Sequence, residues 1–522
     1  MKLPAYPPPH PPAPLQRAGE GGLDFVALAR RRSEERGGQP WRSLEELAGT
    51  PEFAAMLHRD ENAAVRDTEG FDRRDLFKFL GVSFALSGIT ACTRQPAEAI
   101  VPYVRQPEEV IPGGRPLFYA TAMTVGGAAT GLLVESHEGR PTKAEGNPLH
   151  PTSLGASDAF AQAALWDLYD PDRSQTLLYL EEIRPWPAFL GAIRLAVEAE
   201  RPSGGAGLRI LTGDVASPTL ARQMAGLLRA FPQARWIQWE PAGRENARAG
   251  ARMAFGEPVE PIYHFDRADV VLSLDADFLS CGPGQLRWAR DFAARRRVGK
   301  DGADLNRLYA VESTPCNTGA KADHRLPMRA RDVEGFARQL AAALGAGPGG
   351  VAPSGAAAAF LQAAAADLRA HRGRSLVLAG DHQPAAVHAL AHAINAALGS
   401  RGSTVDYVAA AGSPSADPLG DLAALAGDMD AGRVRTLVIL GGNPVFDAPA
   451  DLRFGERLAK VPLRVHLSPY FDETSVACHW HIPQAHFLES WSDARAIDGT
   501  ASIVQPLIAP LYGGRSAHEV LA

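Results

Sequence analysis

The sequence runs to 522 residues, of which 46% are hydrophobic, 21% charged and 7% aromatic. That balance excludes wholesale disorder, a collagen-like repeat and a polytopic membrane protein, and the length suits about three or four domains. With 53 Lys plus Arg against 59 Asp plus Glu, the net charge of −6 offers nucleic acid no domain-wide basic surface.

Residues 1–40 are expected to form a disordered arm, because prolines crowd its start and deny a helix its backbone donors. Ser43 and Glu46 then have the spacing of a capping box, inside a signal region that spans 41–92. Its core is Arg73-Arg74, followed by Phe77 and Lys78 and an uncharged run over 79–91. The run is shorter than the roughly 20 residues that a membrane-spanning helix needs. A basic head, a short apolar run and a small residue before a cysteine form an export-signal pattern. The twin arginine with Phe77 and Lys78 looks like the Tat type, which carries folded proteins across the cytoplasmic membrane. Cys92 follows a loose lipobox, Ile89-Thr90-Ala91, and is the lipidation candidate. A lone buried or amphipathic helix would also explain the apolar run, but the order of the three parts favours export to the periplasmic side of the membrane. A Pro-rich extended linker covers 93–115.

The globular body is expected over 116–522. Buried-strand runs at 208–212, 235–239, 268–274, 375–379 and 436–440 alternate with helical stretches such as 220–228 and 356–370. Such alternation predicts βαβ units and parallel sheets.

Three loops after these strands carry Gly, Asn or Asp: Thr212-Gly213-Asp214, Gly380-Asp381-His382 and Gly441-Gly442-Asn443-Pro444. Ligands of open α/β sheets bind beyond the carboxyl ends of strands, which makes Gly442, Asn443 and Pro444 weak candidates for a nucleotide or pterin phosphate. A plain tight turn explains them as well and is the favoured reading. Cys478, His479, His481 and His486 could suggest zinc, but they fit no two-pair spacing and are read as core or loop residues. His388 and His392 share a helix face without the intervening Glu of H-E-x-x-H. Cys281 and Cys316 could serve as isolated metal ligands or as small buried hydrophobes, and the second is the favoured reading. No CxxC pair exists, whereas an iron–sulfur cluster needs about four thiolates, usually clustered in sequence. No catalytic constellation emerges from the residues themselves.

The segment Gly139-Arg140, Lys143, Gly146-Asn147 and His150-Pro151 resembles the signature of molybdopterin oxidoreductases of the dimethyl sulfoxide reductase type. Leu168-Tyr169-Asp170-Pro171-Asp172-Arg173 is similar to the same family. Catalytic members carry the cysteines of a four-iron cluster just upstream of the signature. Here residues 119–134 keep glycines and hold no cysteine. The stretch from Trp41, the displaced Arg73-Arg74 and the segment from Gln505 to Gly514 narrow the resemblance to extended-Tat molybdopterin-like proteins. These are the molybdopterin-like subunits of alternative complex III, and the resemblance covers their molybdopterin-like half only.

The resemblance implies an α/β fold, a multi-layer molybdopterin-oxidoreductase body of Rossmann-like parallel sheets with its final domain missing. It also implies a subunit of a membrane-bound quinol:cytochrome c (or similar carrier) oxidoreductase that is itself non-catalytic, without cofactor or metal. The implied partners are a multihaem cytochrome c, a membrane quinol-binding subunit and a ferredoxin-like iron–sulfur domain. In the family that last domain continues the same chain, so a fragment or a split gene is expected here. The alternative is a catalytic enzyme dependent on molybdopterin guanine dinucleotide.

Overall fold

The computed structural model describes residues 116–297, 305–410, 415 and 417–522, all within one compact unit, Gln106–Ala522. The expected arm, signal region and linker lie outside the described residues, and with them Arg73, Arg74, Phe77, Lys78 and Cys92. Among the described residues no helix is long and apolar enough to cross a membrane.

An antiparallel meander comes first: β1 (Leu117–Val125), β2 (Ala128–His137) and β3 (Arg140–Gly146). Its turns, Gly126-Gly127 and Glu138-Gly139, hold positive φ at both central residues, the twist that suits a two-residue hairpin. The 139–151 signature becomes β3 and the turn behind it, and much of its work is packing. A Cβ on Gly131 would overlap the His150 ring, and one on Gly146 would overlap the Ala156 backbone. The His150 ring is held at both nitrogens, by Ser502 Oγ at 3.0 Å and Thr152 Oγ1 at 2.9 Å.

The chain next lays down β4 (Leu178–Tyr179), β5 (Glu182–Ile183), β6 (Leu208–Thr212) and β7 (Arg235–Gln238). It then departs to build β8 (Val259–Tyr263), β9 (Val270–Leu274), β10 (Arg307–Glu312), β11 (His324–Pro327), β12 (Ser375–Ala379) and β13 (Val405–Ala409). It returns through β14 (Thr436–Leu440), β15 (Leu463–Ser468) and β16 (Trp480–Pro483), and a hairpin of β17 (Ser492–Arg495) and β18 (Ala501–Val504) follows.

The larger sheet has the order β5-β4-β16-β15-β14-β6-β7. Its strands from β16 to β7 are parallel, and β4 and β5 add an antiparallel edge. The second sheet, β11-β10-β9-β12, is parallel throughout and is inserted in the chain between β7 and β14. Every residue of β6, β9 and β14 is buried, because helices cover both faces of each sheet. On the larger sheet, Leu422, Leu425 and Met429 of helix Pro418–Asp430 cover one face and Phe189 of helix Trp186–Glu200 covers the other. On the second sheet, Val333, Phe336 and Ile394 pack on one face and Trp288 and Phe292 on the other.

The predicted strands at 208–212, 375–379 and 436–440 coincide with β6, β12 and β14, while those at 235–239 and 268–274 shorten to β7 and β9. The predicted helices extend to Pro218–Ala230 and Gly355–Ala370.

Candidate functional site

Strand order reverses beside β6. From β6 the chain proceeds outward to β7, and the later strands β14, β15 and β16 lie on the other side. A parallel sheet opens a crevice at such a point, beyond the carboxyl ends of the two diverging strands. The crevice here has a volume of about 530 Å³ and is bordered by Gly213 and Asp214 after β6 and by Gly441 and Gly442 after β14.

Gly441 and Gly442 adopt φ of 78° and 73°, a left-handed pair that residues with a Cβ rarely adopt. Of the three candidate residues, Gly442 borders the crevice, and its carbonyl accepts a hydrogen bond from the buried His466 ring at 2.9 Å. Asn443 is engaged elsewhere, accepting from Thr474 Oγ1 at 2.7 Å and donating to Glu473 at 2.6 Å. Pro444 starts the short helix Pro444–Asp447. Neither Asn443 nor Pro444 borders the crevice.

The crevice is acidic. Asp214, Glu240 and Asp493 border it, and no Lys or Arg does among the described residues. Arg248 neutralises Asp214 through two hydrogen bonds, at 2.6 and 3.2 Å. Burial, and then the neighbouring Asp214, push the Glu240 carboxyl above its usual range.

Asp493 is the residue that decides what this crevice can hold. Helix Pro218–Ala230 begins at the crevice, and a helix N-terminus ordinarily offers free N–H groups to a phosphate. Here those donors are taken. Asp493, on β17, accepts from the Ser217 hydroxyl, from the Thr219 hydroxyl at 2.6 Å and from the Thr219 N–H at 3.2 Å. Ser217 caps the Leu220 N–H at 3.0 Å. Burial works to raise the Asp493 pKa, but the Ser217 and Thr219 hydrogen bonds outweigh it and hold the carboxyl below its usual range. The chain's own carboxylate therefore stands where an anionic ligand would bind. A pyrophosphate placed there would meet Asp493, Glu240 and the Arg248-paired Asp214, with no Lys or Arg bordering the crevice among the described residues, so these residues do not fit a molybdopterin guanine dinucleotide. Asp493 lies 276 residues from Ser217, and only the tertiary fold brings them together.

Among the described cysteines and histidines, only His518 borders this crevice. Cys281 is exposed and Cys316 half-buried, contrary to their reading as buried hydrophobes. Cys281 lies in the loop after β9 and Cys316 in the one after β10, the connections that leave the sheet's core. The Cys316 thiol donates to Glu312 at 2.8 Å, and burial, and then that bond, push its pKa up to about 12. Cys478 is buried against Leu437 and its neighbours, and burial pushes it up to about 12 as well. His481 is a core residue of β16, bridged to His466 through the Ser475 hydroxyl at 2.9 Å from each ring. Among the described residues no three His, Cys, Asp or Glu side chains are grouped so as to hold a metal ion.

No protein-family model matches the chain. A menaquinone reductase, molybdopterin-binding-like subunit of Nitratidesulfovibrio vulgaris is 26% identical over 437 residues, covering 75% of this chain and 62% of that protein. Acetylene hydratase from Pelobacter acetylenicus shares the architecture with a TM-score of 0.55 and 14% identity, over 77% of this chain and 66% of that one. The chain thus spans less than two thirds of the length of the curated relative that it matches. Its mixed α/β body with parallel sheets has the molybdopterin-oxidoreductase fold, matching that of acetylene hydratase.

Proposed function

We propose that this chain is a non-catalytic, cofactor-free subunit of a membrane-bound quinol-oxidising complex of the alternative complex III type, which passes electrons to a cytochrome c or a similar carrier. The carrying observation is Asp493, whose carboxylate occupies the helix N-terminus in an acidic switch-point crevice. Similarity to a menaquinone reductase subunit supports a quinone-linked complex. The name of that relative favours a second reading, in which the complex works towards menaquinone reduction. In either direction the redox centres reside in the partners: a multihaem cytochrome c, a membrane quinol-binding subunit and a ferredoxin-like iron–sulfur domain. The two parallel sheets provide a rigid body on which those partners assemble.

Affinity capture of the tagged chain from detergent-solubilised membranes tests the assembly. The expected eluate contains a haem-staining cytochrome and an integral membrane subunit in fixed ratio to the chain. Recovery of the chain by itself, with all of it in the soluble fraction, contradicts the proposal.

Export through Arg73 and Arg74 belongs to the same reading. Changing both to Lys keeps the charge but removes the planar guanidinium forks. The double variant is expected to accumulate in the cytoplasm with unchanged thermal stability. Fractionation that finds it at the periplasmic side in normal amounts overturns the Tat assignment.

A further inference from the structure

The second parallel sheet has a switch point of its own, between β9 and β12, and a separate cavity lies beyond it. We propose that this cavity binds a small organic cation of the ammonium or guanidinium class. Such binding does not depend on the assignment to a respiratory complex.

Size sets the first limit. The cavity measures about 60 Å³, room for roughly four water-sized positions and far too little for a nucleotide. Charge sets the second. Among the described residues that line it, Arg244 is the one with a permanent positive charge, against Glu260, Asp277 and Asp381. Arg244 is already committed, donating to Glu260 at 2.6 Å and to Asp381 at 3.3 Å. Glu260 also faces Arg248 at 3.9 Å. Asp277 has no cationic partner among the described residues and accepts from the Thr318 N–H at 2.9 Å and the Thr318 hydroxyl at 2.8 Å. Its carboxylate is therefore left to attract a positive charge.

The walls fit the same class of ligand. Tyr263, Phe278 and Trp288 line the cavity, with the Tyr263 and Trp288 ring centroids 5.5 Å apart. Aromatic faces attract desolvated cations, and an aromatic box with a carboxylate is the usual receptor for ammonium groups.

His388 supplies the independent observation. It lines the cavity at 6% exposure, and its Nε2 has no hydrogen-bond partner. Burial favours the neutral ring, lowering its pKa to about 4, and in the tautomer protonated at Nδ1 the Nε2 carries a bare lone pair. A bare buried lone pair calls for a ligand that donates an N–H. An ammonium or guanidinium ion satisfies Nε2 and the Asp277 charge together, which neither an anion nor an apolar molecule does.

The test is a titration of the full chain, labelled with ¹⁵N-histidine, with methylammonium and methylguanidinium chloride at constant ionic strength, with sodium chloride as control. The expected result is a saturable shift of the His388 Nε2 resonance with either organic cation and none with sodium. Asp277→Asn is expected to raise the half-saturating concentration about tenfold or more. If that variant is destabilised, Asp381→Asn, whose side chain is part-exposed at the same cavity, provides the second reading, with the same direction of change expected. A His388 resonance indifferent to both cations means that the cavity holds water only, and overturns the proposal.

Discussion

Replacing Arg173 with alanine is expected to destabilise the chain by about 3–5 kcal/mol, the cost of stranding one member of a buried ion pair. Arg173 and Glu489 are almost fully buried, with side chains 4% and 1% exposed. The guanidinium donates to both Glu489 oxygens, at 3.1 and 2.6 Å, and to the Leu168 carbonyl at 2.8 Å. Glu489 also accepts the backbone N–H groups of His486 at 2.8 Å and Leu511 at 2.9 Å. The pair therefore joins three distant segments, and two of them, 168–173 and 505–514, are among the stretches that carry the family resemblance. Burial raises the Glu489 pKa, while Arg173 and the backbone donors outweigh it and hold the carboxyl ionised. Without Arg173 that charge has no cation. The urea midpoint of Arg173→Ala measures the loss, and Arg173→Ala with Glu489→Ala should recover part of it through their coupling. A single variant as stable as the parent contradicts the structural role given to this pair.

Acid is expected to unfold the protein well above the pH at which carboxylates normally titrate. His388, His392 and His481 are buried, and burial lowers the pKa of each to about 4. Each ring has its ordinary pKa near 6.5 once unfolded. Below pH 6.5 the unfolded chain takes up protons that the folded chain refuses, so the stabilisation is complete above 6.5 and is lost as pH falls towards 4. Each histidine contributes about 1.4 kcal/mol per pH unit, so three remove about 4 kcal/mol per unit, against a typical total of about 5–15 kcal/mol. The groups that face His388 are Asp381, which raises its pKa, and Arg244, which lowers it; His388 in turn lowers that of His392. The expected observation is a urea midpoint that falls steeply between pH 6.5 and 5. A midpoint unchanged over that range would mean that these rings titrate in the folded state as they do in the unfolded chain.

Much of the fold is legible in the sequence, and for a physical reason. β14, inside its sheet, and β12, at a sheet edge, are buried along nearly their whole length and read as almost unbroken apolar runs, and β6 does so apart from Arg209, which pairs with Asp428. β15 and β16 are harder to read because Arg464, His466 and His481 interrupt them. Those polar groups are satisfied only by the tertiary fold. Arg464 donates to the Ala477 carbonyl at 2.7 Å, and His466 is held by Ser475 and the Gly442 carbonyl, each at 2.9 Å. The crevice is half legible. Gly441-Gly442 announces a tight turn after a buried strand, and that turn does border the crevice. Asp493 carries no local signal at all, since an aspartate in a short polar hairpin strand resembles any surface residue. Its meaning comes from Ser217 and Thr219, far away in sequence.

The most direct test of the central claim is a combined molybdenum and pterin analysis of the chain purified in its native membrane complex. Asp493 occupies the helix N-terminus, and no Lys or Arg borders the crevice among the described residues. The chain is therefore expected to carry neither molybdenum nor any fluorescent pterin oxidation product, even when the complex is fully active. One molybdenum per chain, with pterin released in proportion, would contradict the cofactor-free reading and establish the chain as a molybdopterin enzyme.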